Sequence, residues 1–223
     1  MRGAVDGDPA RQKRRVKKFT ESRAKNIAEA YIAQREASTG MVRALLRRRA
    51  NSWLRLLDEG EREAAADEAS RIIEAEVSRL VAKRYVDDAR FARMKVRSGL
   101  ASGKGIARIA RELGQKGLGA EELEDGLAKG TASFVEDRSS LLAPEESEPD
   151  PAEMRREAEQ EAARIFARKK RIGPWRKAPL PEDFKEARKI WNREAGAMAR
   201  AGYSFDLIRE ILDGEPKEKW RDF

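Results

Sequence analysis

Apolar residues recur every three or four positions in several separate segments of this 223-residue chain. The spacing is clearest between Ile106 and Leu113, where Ile109 and Ala110 complete one apolar face of a helix and charged residues fall opposite. Ala, Glu, Arg, Lys and Leu are abundant, whereas Val, Thr and aromatic residues, which favour strands, are scarce. The sequence therefore predicts an all-α protein.

Two regions of the sequence align at a shift of 85 positions. Residues 113–118 then fall on residues 198–203, so that Gly117 coincides with Gly202. The first helical segment shows the same succession of helices but lacks this glycine. These similarities predict three tandem three-helix repeats, and helical units of this size stack into solenoid-like arrays.

Changes in composition suggest how the chain is divided. A basic disordered arm precedes the first repeat, an acidic linker separates the second repeat from the third, and a short tail follows. The first repeat contains an insertion near 53–70. The predicted ranges are 1–22 for the arm, 23–86, 87–133 and 153–214 for the three repeats, 134–152 for the linker and 215–223 for the tail.

The clustering of basic residues is more informative than their excess, which is 48 Lys and Arg against 40 Asp and Glu. Such clusters favour polyanions, because phosphate contacts release counterions and fix position without reading bases. We therefore predict contact with nucleic acid or a nucleoprotein through the second and third repeats. The candidate residues are Arg93, Lys95, Arg97, Lys104, Arg108, Arg111, Lys116, Arg168, Lys169, Lys170 and Arg171.

The residues that most enzymes use are missing or poorly placed. The chain has no His and no Cys, which excludes imidazole catalysis, thiol nucleophiles and Cys/His metal sites. Asp87 and Asp88 form a tempting acidic pair for a metal nuclease, but no third carboxylate has matched spacing, so we interpret Asp88 as a helix N-cap. Residues 99–105 resemble a phosphate loop, yet Gly105 stands where magnesium needs Ser or Thr. We therefore expect no enzymatic activity, no metal and no cofactor.

The sequence also lacks signals for membranes and export. No run approaches about 18 consecutive apolar residues, and the basic N-terminal residues are not followed by the apolar stretch of a secretory signal. The absence of Cys fits a reducing compartment. We therefore expect a cytoplasmic protein that does not bind membranes.

Several spaced motifs then become recognisable. They are YIAQREAS at 31–38, LVAKRYVDDARFA at 80–92, GKG at 103–105 followed by ELGQKG at 112–117, RIGPW at 171–175 and GYSFDLI at 202–208. Together they resemble the RecX family of bacterial recombination regulators. The resemblance spans roughly residues 25–212 and is strongest over 76–128.

The resemblance implies both a fold and a function. The fold would be three tandem three-helix units in a curved array without a catalytic site, elongated to about 60–80 Å if nine helices of about 10 Å diameter stack. The function would be binding to the RecA recombinase, chiefly to its filament on DNA, with inhibition of ATP hydrolysis, strand exchange and co-protease action. These activities belong to DNA repair, homologous recombination and the SOS response. We expect a monomer whose contact with DNA is weak or made through the filament.

A DNA-binding architectural or transcription protein with helix-turn-helix-like units is the alternative. Against it, no single helix concentrates the Asn, Gln and Arg that read base edges. Tight binding to duplex DNA without any recombinase would favour this alternative.

Overall fold

The computed structural model describes residues 17–139 and 150–214. Within these ranges it contains nine α-helices, one short 3₁₀ turn and no strand, so the prediction of an all-α protein is confirmed. No helix in the same ranges is both long and apolar enough to cross a membrane. Residues 1–16 of the predicted arm, 140–149 of the predicted linker and the predicted tail lie outside the described residues.

Most of the helices follow one another through short turns. The helices are α1 (Glu21–Ile32), α2 (Thr39–Leu54), α3 (Glu59–Ala82), α4 (Asp88–Ala101), α5 (Ile106–Gly114), α6 (Ala120–Ser139), α7 (Pro151–Lys170), α8 (Phe184–Ala201) and α9 (Phe205–Asp213), with the 3₁₀ turn at Gly173–Trp175. The connections from α6 to α7 and from α7 to α8 are longer, and residues 140–149 of the first lie outside the described residues. The insertion predicted near 53–70 falls on the end of α2 and the first half of α3, which has 24 residues.

Polar side chains begin five of these helices by accepting a hydrogen bond from a first-turn N–H that would otherwise lack a partner. The five caps are Thr20, Asp87, Asp150, Asp183 and Ser204. Ser204 begins α9 in this way, since its hydroxyl oxygen accepts the Leu207 N–H at 3.4 Å.

The cap predicted at Asp88 is wrong. Asp87 caps α4 instead, since its carboxylate accepts the Arg90 N–H at 2.8 Å. Asp88 is the first residue of α4, and its two carboxylate oxygens accept the Thr39 N–H at 2.8 Å and the Thr39 hydroxyl at 2.7 Å. The sequence could not reveal this role, because the partner lies 49 positions away.

The described residues form two compact units. The first holds residues up to Arg35 together with Met41–Tyr85, and in it α1 packs on α3. Ala24 and Ala28 of α1 are fully buried, so small side chains let the two helices approach closely.

An ion-pair network joins α1 to α3 in the first unit. The buried carboxylate of Glu76 receives two hydrogen bonds of 2.7 Å from the guanidinium of Arg79. The same guanidinium donates to Glu29 at 2.8 Å. Buried charge is tolerated here because each group has a hydrogen-bonded partner of opposite sign.

The second unit holds Glu36–Gly40 and the chain from Val86 onward, with helices α4 to α9. Its most extensive helix contact joins α4 to α6. A Cβ added at Gly126 of α6 would collide with Ala92, and one at Gly130 would stand 2.5 Å from the Cβ of Val96. For the third helix of this repeat, the sequence predicts a short helix around Leu123. In the structure α6 has 20 residues and continues to residue 139, inside the predicted linker.

Backbone contacts between turns join other parts of this unit. The Gly105 N–H donates to the Ala201 carbonyl at 2.9 Å, and a Cβ on Gly105 would stand 2.5 Å from the Gly202 carbonyl oxygen. Gly40 meets Gly117 in the same way, since its added Cβ would lie 2.6 Å from the Gly117 Cα. Gly117 and Gly202, the two glycines aligned in the sequence, thus each have the backbone of another turn packed directly against them.

Both aligned glycines end a helix in the left-handed conformation. Gly117 follows α5 with φ 79° and Gly202 follows α8 with φ 98°. This conformation is costly for residues with a Cβ, and it closes the last turn of a helix.

A buried ion pair shapes the connection between α7 and α8. The Glu194 carboxylate on α8 accepts the Gly173 N–H at 3.1 Å and the Arg176 Nε–H at 2.8 Å. Only 4% of Glu194 is exposed, so this pair is shielded from water and holds the 3₁₀ turn against the helix.

Two glycines at the ends of α5 provide a matched test of the turn contact. We expect Gly105→Ala to lower the free energy of unfolding by about 1–3 kcal/mol, because the new methyl group meets the backbone of Gly202. Gly114→Ala meets nothing within 4 Å and should instead stabilise by about 0.5 kcal/mol through lower chain entropy in the unfolded state. Urea unfolding of both variants measures the difference, and an unchanged Gly105→Ala would contradict the contact.

Candidate functional site: a basic cleft between α4 and α5

A cleft of about 300 Å³ opens between α4 and α5 in the second unit. Its apolar wall is formed by Ile109 and Leu113. Polar and charged side chains complete the lining: Lys95, Lys104, Lys116, Ser98, Ser102 and Glu112. Three of the predicted basic residues therefore meet at one place, which we call the basic cleft.

Two glycines determine the geometry of the basic cleft. Gly99 on α4 faces α5, and an added Cβ there would stand 2.8 Å from the Ile109 side chain, so its absence lets the helices approach. Gly103 follows α4 with φ 83° and reverses the chain, which brings Lys104 into the lining. A Cβ at Gly103 would also meet the backbone of Phe166 at 2.9 Å. Each position therefore excludes a larger side chain.

One carboxylate is shared by two cations at the basic cleft. Glu112 accepts a hydrogen bond from Lys104 Nζ at 2.6 Å and from Arg108 Nε at 3.0 Å. The hydrogen bond from Lys104 is the main cause of a lowered Glu112 pKa; partial burial opposes it, and Arg108 adds to it. Glu112 is therefore ionised at neutral pH, and it forms ion pairs with Lys104 and Arg108.

The other two lysines of the basic cleft have no acidic partner within the described ranges. The Lys95 ammonium lies 5.5 Å from the centre of the Phe91 ring, a cation–π distance. Lys116 accepts a hydrogen bond from the Ser38 hydroxyl, but through its backbone carbonyl at 2.6 Å. The charges of both ammonium groups remain available to a ligand.

The lowered pKa of Glu112 predicts a pH dependence. A carboxylate whose pKa is lower in the folded state contributes stability above its unfolded pKa, near 4.3, and loses it as pH falls through the folded value. We expect Glu112→Gln to be less stable than the parent at pH 7 by no more than about 1 kcal/mol, since the group is a third exposed. Thermal unfolding from pH 7 to pH 3 should show this difference vanishing at the acid end; a constant difference would contradict it.

Lys169, which belongs to the third predicted repeat, lies at the rim of the basic cleft. Its ammonium donates to the backbone carbonyl of Ser102 at 3.3 Å, at the C-terminal end of α4. A cation is favourable there because the helix dipole is negative at this end. Lys169 thus has a local structural role beside the cleft.

The remaining candidates lie elsewhere or are engaged in other contacts. Arg97 forms an ion pair with Asp137 of α6 at 2.5 Å. Arg93 and Arg111 are exposed on α4 and α5, Lys170 is exposed at the end of α7, and Arg168 is half-buried. The structure therefore brings together Lys95, Lys104 and Lys116, with Arg108 joined through Glu112, and does not gather the other residues there.

Sequence reasoning missed two features of the charged surface. Glu112 was not singled out, although its position four residues after Arg108 is the spacing of an ion pair on one helix face. The run Arg47-Arg48-Arg49 on α2 was also passed over; all three are exposed, and Arg47 shares Glu74 with Arg43. A search for charge pairs at helical spacing would have found the first feature.

Arg171 has an unfavourable backbone conformation for its residue type. It ends α7 with φ 54° and ψ 53°, in the left-handed region that favours glycine. Its side chain is exposed, so burial does not offset the cost of this conformation.

This conformation makes Arg171→Gly an informative variant. We expect it to raise the free energy of unfolding by about 1 kcal/mol, because glycine adopts the same φ without the Cβ clash. Urea unfolding checks the gain, and Arg156→Gly, at an exposed position in the interior of α7, is the control that should lose about 1 kcal/mol. A loss of stability in Arg171→Gly would show that the side chain has a structural role.

The acidic pair considered for a nuclease is engaged in helix contacts. Asp87 caps α4 and Asp88 binds Thr39. In residues 17–139 and 150–214 no three His, Cys, Asp or Glu residues are placed to hold a metal ion.

Comparisons with known proteins identify the family. A family model described as "RecX, second three-helix domain" matches residues 87–127, which contain α4, α5 and the start of α6. The chain is also 31% identical over 215 residues to "Regulatory protein RecX" of Myxococcus xanthus, covering 96% of this chain and 97% of that protein. This chain belongs to the RecX family. The resemblance found in the sequence is confirmed.

Two further RecX proteins match over shorter stretches. "Regulatory protein RecX" of Pseudomonas putida is 34% identical over 92 residues, 41% of this chain and 63% of that protein. The protein of the same name from Agrobacterium fabrum is 28% identical over 127 residues, 57% of this chain and 51% of that protein. The chain is accordingly a RecX family regulator, and its basic cleft lies within the segment that the RecX domain model matches.

Proposed function

We propose that this RecX family protein binds the RecA recombinase, chiefly as the filament on DNA, and inhibits its ATPase, strand-exchange and co-protease activities. It does so as a non-enzymatic regulator, acting as a monomer in the cytoplasm, in homologous recombination, DNA repair and the SOS response. The observation that carries the proposal is the basic cleft, since it places three lysines within the RecX-matched segment.

Electrostatics explains how such a surface would act on a nucleoprotein filament. Lys95 and Lys116 carry charges that no described acid neutralises, and complementary charge raises the rate of encounter and selects partners. A filament repeats its protomers, so several weak contacts add up to firm binding. Inhibition then follows from occupancy of the filament, and it requires no reactive side chain in the regulator.

Charge reversal on α5 tests the proposal. We expect the triple variant Lys104→Glu, Arg108→Glu and Arg111→Glu to need at least about tenfold more protein for half-inhibition of DNA-dependent ATP hydrolysis by RecA, a loss of about 1.4 kcal/mol. Lys104 lines the basic cleft just before α5 begins, Arg108 is joined to it through Glu112, and Arg111 is exposed on α5. The assay is a titration of regulator into RecA on single-stranded DNA.

A second triple variant controls for net charge. Lys185, Arg188 and Lys189 are exposed on α8, and changing all three to Glu alters the total charge equally. We expect this variant to keep its inhibition, while circular dichroism shows unchanged helicity in both. Equal losses of inhibition in the two variants would show that the effect depends only on net charge. Full inhibition by the α5 variant would show that this surface does not contact the filament.

The DNA-binding alternative is distinguished by its independence from recombinase. An architectural or transcription protein would bind duplex DNA with the same affinity whether RecA is present or absent. The proposed regulator should bind duplex DNA weakly alone, and DNA contact should strengthen when the filament is formed. Fluorescence anisotropy with a labelled duplex, at stated salt, separates the two.

A further inference from the structure

The basic cleft contains an anion of its own. Glu112 is held by Lys104 Nζ at 2.6 Å and by Arg108 Nε at 3.0 Å, as an external anion would be. Lys95 and Lys116 face the same space without an acidic partner in the described chain. Three lysines and one carboxylate therefore line the cleft, which keeps an excess of positive charge, and Arg108 is joined to it through Glu112.

We propose that the cleft between α4 and α5 is a binding site for a phosphate group, and that Glu112 is an internal competitor that weakens this binding. In the free protein Glu112 occupies Lys104 and Arg108. A phosphate that enters beside Lys95 and Lys116 draws Lys104 from the carboxylate. The phosphate belongs either to a nucleic-acid backbone or to a free phosphate compound, since both present the same tetrahedral anion.

The available donors favour phosphate over a carboxylate of a protein partner. The hydroxyl of Ser98 donates to the Lys95 carbonyl at 3.2 Å, and that of Ser102 donates to the Gly99 carbonyl at 2.7 Å. The remaining donors are lysine ammonium groups, which act as point charges and meet the three oxygens of a phosphate from separate directions. A planar carboxylate is best bound by an arginine fork, and the Arg108 Nε is already on Glu112.

The negative end of α4 is neutralised where it borders the cleft. Free carbonyls at a helix C-terminus would repel an anion. Here the Ser102 and Lys104 N–H groups both donate to the Gly99 carbonyl, and Lys169 donates to the Ser102 carbonyl. The backbone charge that would oppose a phosphate is thus satisfied within the protein.

Phosphate binding by the isolated chain needs no recombinase and is therefore distinct from inhibition of RecA. The experiment measures binding of the full-length protein to three probes: a single-stranded oligothymidylate, inorganic pyrophosphate and a polyglutamate of equal charge. We expect Glu112→Gln to bind the phosphate probes about three- to tenfold more tightly, because Lys104 and Arg108 are released. Tighter binding of the oligothymidylate alone indicates a nucleic-acid backbone, and tighter binding of pyrophosphate as well indicates that free phosphates also enter.

Salt dependence and double variants locate the effect. For single strands each phosphate neutralised contributes about 0.7 to the slope of log affinity against log salt, so Glu112→Gln should steepen the slope by about 0.7. Lys116→Gln, which changes a half-exposed side chain, should reduce it by a similar amount. Adding Lys95→Gln and Lys116→Gln to Glu112→Gln should abolish the gain in affinity.

Glu74→Gln is the matched control. Glu74 is shared by Arg43 and Arg47 in the first unit, so the change in charge and the loss of ion pairs are alike. We expect it to leave pyrophosphate affinity unchanged. The proposal is overturned if Glu112→Gln binds no more tightly than the parent, if Glu74→Gln gains as much, or if polyglutamate binds as strongly as the phosphate probes while thermal melting shows every variant folded.

Discussion

Direct backbone contact at glycines is the constraint on which the second unit depends. The Gly105 N–H bonds to the Ala201 carbonyl, and no side chain fits between this turn and Gly202. The contact fixes where α5 begins, and Glu159 of α7 secures the same end by accepting the Ile106 N–H. Burial raises the pKa of Glu159, and that hydrogen bond partly opposes the increase. With α5 held in this way, the distance between α4 and α5, and therefore the basic cleft, is set.

Local signals were enough to predict the helices but not their partners. Apolar spacing predicted the helix between Ile106 and Leu113, and the alignment of Gly117 with Gly202 identified two turns that both adopt a positive φ. The length of α6 was missed because Gly126 and Gly130 disfavour helix locally. Both glycines allow α6 to pack closely against α4, which is a tertiary contact. Helix propensity describes a residue in isolation, whereas the length of α6 depends on its packing against α4.

The candidate site was predictable in its cations and not in its organisation. Lysines and arginines could be named from clustering alone, but clustering does not say which charges are neutralised. Arg97 is paired with Asp137, whereas Lys116 is not paired with any described acid, and the two look alike in the sequence. Asp88 shows the same limit, because its partner Thr39 becomes visible only when the chain is folded.

In the proposed phosphate site, the internal carboxylate Glu112 would answer a problem that a strongly basic protein faces. A chain with a net charge of +8 is attracted to every polyanion, and phosphate contacts alone carry no specificity. Glu112 remains ionised at neutral pH and reduces the charge that a single passing anion meets. In the proposed site a ligand with a denser array of charges would displace it, because several phosphates would compensate for the broken ion pair. The ion pair would lower the affinity for every anion, but it would lower the affinity for a single anion more than that for a dense array. Specificity is this difference between two binding free energies.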